Sequence, residues 1–421
     1  MYDILNAYLE NGLKIILHKI PGAKTMACGL WIAQGSKNES DANSGLSHLI
    51  EHLLVNPITS GNEAYQKLIE EVTNCGVVYN AATTKEYTCF YFTGLSNTID
   101  LCVKSLSHIA MNNRNFPEDM FENEKKVVVQ EATSFYSSFQ QIKERTSQAL
   151  WGNIGIGRII MGNISNIQGA TIEQIQGIIE SNYIPERATM VIVGDIEYVR
   201  ALDLIENNFR DWKDIHSNEE QELVNSEPGV YLNKGSGASS VVSVGFRTGG
   251  YSMMQRQAID MMVRILGQSG FKARIVDEIR MKRGLAYNVG GFYSVFRNHG
   301  TIGFMAVCDK EKTVDVARVM MDTLIQAKKE GFTDEEIQRE KNMMETTMLL
   351  SVDNITDHLR NIGRCDVMGC DFYIENEIRG IRSITKDLVN QVADEIIQEA
   401  NLGLALIGDC DNDLLLQTVA M

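Results

Sequence analysis

The residues best placed to do chemistry are His48-Leu49-Ile50-Glu51-His52, within SGLSHLIEHLLV. On a helix, two histidines four apart share one face, so both imidazoles can reach one metal ion. Glu51 is three residues on from His48 and flanks that face, where it can take a proton from metal-activated water instead of ligating the metal. Leu46, Leu49, Ile50, Leu53 and Leu54 would bury the helix and keep the site partly dry. With 7 histidines and 55 acidic residues placed at random, this spacing is expected on the order of 0.015 times in the chain, so chance is a minor competitor.

The order His-x-x-Glu-His inverts the commoner zinc-peptidase motif. A catalytic zinc needs a third protein ligand and keeps the fourth position for water. The segment ENEKKVVVQEAT supplies candidates in Glu124 and Glu131, which are two helical turns apart and can point the same way. Other chemistries find less support. Cys365 and Cys370 lack the two-residue gap of a zinc knuckle, and the cysteines look like scattered reduced core residues. There is no GxxxxGK[ST], and Gly152-Asn-Ile-Gly-Ile-Gly-Arg does not fit the dinucleotide fingerprint. His18, His108, His216, His299 and His358 have no partner at ligand spacing and are taken as structural or exposed.

The elements that must position these residues alternate between short β-rich runs and long amphipathic helices, an α/β or α+β signature. Strands are expected at 13–18, 26–33, 86–92, 190–193, 240–246, 287–296, 301–307 and 404–407. Helices are expected at 44–55, 63–74, 117–134, 172–182, 256–266, 312–330, 334–350 and 387–399. Two internal matches stand out. FPEDMFENEKKVVVQE at 116–131 matches FTDEEIQREKNMMETT at 332–347, an offset of 216. The stretch 175–195, ending MVIVGD, matches 389–409, ending LALIGD, at an offset of 214. Both point to duplicated modules of roughly 200 residues. The polar, acidic stretch from Asp211 to Pro228 looks like a linker, giving an N-terminal module 1–212, a linker 213–228 and a C-terminal module 229–421. The 216 offset sets Arg264 and Gln268 opposite the two histidines, and Glu340 and Thr347 opposite Glu124 and Glu131. The metal constellation is therefore confined to the first module.

The 421 residues are 44% hydrophobic and 22% charged, an ordinary globular composition. A net charge of −16 and the lack of any run of Lys and Arg argue against nucleic-acid binding. No apolar stretch is long enough to span a bilayer, and the N-terminus lacks a basic segment followed by an apolar one, so a cytoplasmic location is expected.

At this point the sequence resembles a known family, the inverted-motif zinc peptidases of the pitrilysin, insulin-degrading and mitochondrial-processing type, over most of its length. The resemblance implies that His48 and His52 bind zinc, one ion per chain, with Glu51 catalytic, Glu131 the third ligand and Glu124 the supporting acid seven positions earlier. Asn80-Ala81 followed by Thr83 is similar to the family's substrate-binding edge strand. Arg280-Met-Lys-Arg-Gly-Leu-Ala-Tyr287 is similar to the family's Arg…Tyr pair, where a fixed cation and a hydroxyl can stabilise charge on a scissile carbonyl oxygen. The loop ahead of it reads GQSGFKAR, where the family often has glycines and serines. The implied fold is α+β, two homologous α/β modules with antiparallel-rich sheets and helices packed on them, in a clamshell-type metallopeptidase. The implied activity is zinc-dependent endopeptidase cleavage of peptides or unfolded segments inside a dimeric chamber, with a homodimer expected because both halves of the apparatus are on one chain. The alternatives are one subunit of a heterodimeric peptide-maturation protease, for example on a bacteriocin leader, and a non-catalytic peptide-binding scaffold.

Overall fold

A computed structural model describes residues 3–213, 227–235, 237–251 and 255–420. Most of the expected linker 213–228, and His216 with it, lies outside the described residues. The chain forms two compact units, each a mixed sheet with helices packed on it, which is the α+β two-module architecture expected.

The first sheet contains β1 (Asp3–Tyr8), β2 (Lys14–Lys19), β3 (Thr25–Ile32), β4 (Val78–Thr83), β5 (Thr88–Leu95) and β6 (Ala188–Gly194), in spatial order β1-β2-β6-β3-β5-β4. The second contains β7 (Val230–Asn233), β8 (Ser239–Gly249), β9 (Ala286–Val295), β10 (His299–Asp309) and β11 (Leu402–Ile407), in order β7-β11-β8-β10-β9. Apart from β1, the two orders coincide strand for strand, including the parallel pairs β2–β6 and β7–β11. The sequence matches map onto equivalent elements. Helices Glu118–Tyr136 and Asp334–Asp353 start 216 residues apart, while helices Ile172–Asn182 and Lys386–Ile396 are of equal length and 214 apart.

The helices of the first half include α1 (Leu46–Val55), α2 (Glu63–Asn74), α3 (Ile99–Ser107), α4 (Glu118–Tyr136) and α5 (Ile142–Trp151). Leu46, Leu49, Ile50, Leu53 and Leu54 of α1 are all buried, each contributing about 1.5–3 kcal/mol by leaving water. Their spacing forces the histidine face to one side of the helix.

Nearly all of β3 and β6 is buried, which requires cover on both faces of the sheet. α3 packs on β3, and the helix Ile355–Val367, from late in the chain, packs on β3 and β6. Gly363 makes that approach possible, because a Cβ there would collide with the Trp31 ring. Asp366 of the same helix accepts from Thr189 at 2.5 Å and pairs with Lys14. In the second unit α5 packs on β8 and β11, with Thr146 donating to Ser243 at 2.8 Å and the Trp151 indole to Thr301 at 2.9 Å. The units thus interleave along the sequence: α5 belongs to the second and Ile355–Val367 to the first.

Candidate metal centre

α1 is anchored at its start rather than capped in the usual way. Its N-cap is Gly45 at φ +96°, a left-handed conformation that suits glycine, and the backbone of Gly162 lies against it. No local side chain caps the first turn. Instead the buried carboxylate of Glu39 accepts from Gly45 N–H at 2.9 Å and Ser47 N–H at 2.8 Å, satisfying orphan amides and complementing the helix dipole.

From this fixed helix His48 and His52 present their Nε2 atoms 3.2 Å apart. Oε2 of Glu131, on α4, lies 3.7 Å from the first and 3.5 Å from the second. Among the described residues these three form the one group of His, Cys, Asp and Glu able to converge on a metal ion. The fit can be tested from the separations. Ligand atoms about 2.0–2.1 Å from a tetrahedral zinc are about 3.3–3.5 Å from each other, close to what is seen. The charges agree as well. Burial, helped by neighbouring His52, lowers the pKa of His48 to about 4, so its imidazole is neutral and free to ligate near pH 7.

A supporting contact fixes His52. Glu124 Oε1 accepts from His52 Nδ1 at 2.9 Å, and a carboxylate can only accept, so the Nδ1 carries a proton and Nε2 is the nitrogen turned to the cluster. Burial disfavours protonation of His52, but the Glu124 hydrogen bond and the charges of Glu51 and Glu131 outweigh it and raise its pKa. The other oxygen of Glu124 accepts from Asn56 Nδ2 at 3.1 Å. Glu51 stands apart from the ligand group. It is buried, its Oε2 accepts from the Thr83 hydroxyl at 2.6 Å, and burial raises its pKa against the opposing pull of Thr83 and His52.

Asn80 and Ala81 lie on β4, the last strand of the first sheet, which among the described residues pairs only with β5 and packs beside α1. Arg280 and Tyr287 are together in the second unit. The guanidinium lies 4.3 Å from the Tyr287 ring centre and 5.1 Å from that of Phe271, and the tyrosine is 79% exposed.

Comparison with known proteins decides the family. Residues 14–163 match the insulinase family, peptidase family M16, and residues 169–344 match the peptidase M16 inactive domain. The chain belongs to peptidase family M16. It is similar to an uncharacterized zinc protease of Mycobacterium tuberculosis, 26% identical over 95% of this chain and 92% of the relative. It is also similar to the beta subunit of the mitochondrial-processing peptidase of Lentinula edodes, 25% identical over 96% of this chain and 89% of that protein. The fold matches the crystal structure of a protease from Helicobacter pylori with a TM-score of 0.88 at 18% identity, covering 97% of this chain and 100% of that one.

An M16 inactive domain accords with the second unit, where Arg264 pairs with Asp260 at 3.0 Å and Gln268 donates to the Gly291 carbonyl. Glu340, at the position matching Glu124, is buried beside Arg339. No helix among the described residues of this M16 protein is long and apolar enough to cross a membrane. Glu39 and Asn56 escaped sequence reasoning, and Thr83 was noted only as part of a strand motif. Glu39 alone had a local signal, an acid shortly before a glycine at the start of a helix.

Proposed function

We propose that this protein is a zinc-dependent endopeptidase that cuts peptides or unfolded segments. The observation that carries the reading is the convergence of His48 Nε2, His52 Nε2 and Glu131 Oε2 at 3.2–3.7 Å, with Glu51 beside them and engaged by Thr83 instead of by the cluster. These three side chains would hold the ion, one per chain. Bound zinc would supply Lewis acidity, lowering the pKa of water and polarising the scissile carbonyl.

The chain's own residues do the rest. Glu51 accepts a proton from the attacking water and passes it to the leaving amine. Its burial suits this task, since a carboxylate with a raised pKa holds a proton long enough to hand it on. Glu124 keeps His52 in the ligating tautomer. The edge of β4 at Asn80 and Ala81 receives the substrate as an added strand, so main-chain hydrogen bonds give affinity with little sequence demand. Arg280 and Tyr287, supplied by the opposite chain of a dimer, would donate to the developing oxyanion. On this reading the metal centre sits in the module 1–212 and the Arg/Tyr pair in the module 229–421. Since one chain carries both, a homodimer with two sites is proposed over a heterodimer.

The test is incubation of the purified protein with a mixture of unstructured peptides, with and without a zinc chelator, read by mass spectrometry. Internal cuts that vanish with chelator are expected. A zinc-loaded homodimer that leaves every peptide intact would refute the reading and favour a binding role.

A further inference from the structure

Thr83 closes β4, three residues after Asn80 and two after Ala81. Residues two apart on a strand share a face, so Thr83 lies on the same side of β4 as Ala81. Its hydroxyl has one proton and two oxygens within reach: Glu51 Oε2 at 2.6 Å and Thr88 Oγ1 at 3.4 Å. Thr88 is fully buried and gives its own proton to the Gln34 carbonyl at 2.9 Å, so it cannot donate back. A carboxylate at the shorter distance is the stronger acceptor, which leaves one arrangement: Thr83 donates to Glu51. With both protons so placed, the 3.4 Å approach of the two threonine hydroxyls is a packing contact, and Glu51 is the single acceptor of the Thr83 proton.

We propose that Thr83 is a positioning residue for the general base. It aims the Glu51 carboxylate, and because it ends the strand expected to receive the substrate, the same strand sets both the peptide and the base. The inference deepens the peptidase reading and rests on it. Without the hydroxyl, the Glu51 carboxylate keeps only the weaker main-chain contact from Thr83 and loses the bond that sets its angle, and misplacement of a base by even about 1 Å costs on the order of 100-fold in rate.

Two variants separate positioning from packing. Thr83→Val keeps the shape and removes the donor, and Thr83→Ser keeps the donor and removes a methyl. For Thr83→Val, kcat is expected to fall about 10–100-fold with KM within about twofold of wild type and zinc content unchanged, and Thr83→Ser is expected to restore most of kcat. Wild-type kcat in the valine variant, or a serine variant as impaired as the valine one, would overturn the proposal. A second measurement does not need turnover. Crystal structures of the two variants should show the Glu51 carboxylate displaced with valine and retained with serine, and an unmoved carboxylate in Thr83→Val would overturn the proposal. If the wild-type protein cleaves nothing, the peptidase reading fails, and the crystal structures still decide whether Thr83 holds Glu51.

Discussion

His52 is gripped at both nitrogens, with Glu124 on Nδ1 and the ligand cluster at Nε2. Replacing Glu124 with Ala leaves all three ligands but frees the tautomer and the ring. Zinc affinity is expected to drop about 10–100-fold in a chelator competition, and an unchanged affinity would show that the contact is incidental. The two histidines were legible because their spacing is local, four positions apart on one helix face, whereas the seven-residue spacing left Glu124 and Glu131 both open and the family resemblance pointed to Glu131. Thr83 was not legible as a partner of Glu51, since the two are 32 residues apart and no helical or strand period links them. The same holds for His18 and His358. Taken singly they have no partner at ligand spacing, yet they meet across 340 residues with His358 Nε2 2.7 Å from His18 Nδ1.

Among the elements, α1 depends on Glu39 for its first turn. Glu39→Ala should lower stability by about 1–3 kcal/mol in denaturant unfolding, because two buried amides lose their acceptor. A change within error would mean that water replaces the carboxylate. The helix Ile355–Val367 meets β2 through the His18–His358 pair, and burial lowers both pKa values to about 4, with the nearby His18 adding to the effect on His358. In the unfolded chain these histidines take up protons as the pH falls below about 6.5, while the folded pair does not until about 4. Their contribution is therefore complete above about pH 6.5 and is lost as the pH falls toward 4, on the order of 3 kcal/mol for each histidine. Urea midpoints should fall between about pH 7 and about pH 5 in the wild type, and less steeply in a His18→Gln/His358→Gln variant. Equal slopes would remove the pair from the account. Most strands and helices were readable from periodicity to within a few residues, as with the helices at 63–74 and 172–182. β4 escaped the pattern search because VYNAAT is a half-exposed edge strand with little apolar alternation. The helices Ile142–Trp151 and Ile355–Val367 were also missed, and the sheet that each covers is set by packing between segments far apart in sequence.

For the whole molecule, duplication explains both the repeated sheet order and the asymmetry of the chemistry. The two copies keep the same strand succession, but only the first has histidines on the helix that follows its third strand, while the second has the half-buried Arg280 beside the exposed Tyr287. If two chains share their sites, mixing Glu51→Gln with Arg280→Ala protein should restore part of the peptidase activity, since some mixed dimers then hold one intact site. No recovery despite demonstrated subunit exchange would contradict sharing. The central claim is that His48, His52 and Glu131 hold zinc while Glu51 moves the proton. Its most direct test is a side-by-side measurement of zinc content and peptide cleavage for wild type and Glu51→Gln. The account predicts one zinc per chain in both and cleavage only in the wild type. Zinc lost along with Glu51, or turnover retained without it, would contradict the assignment.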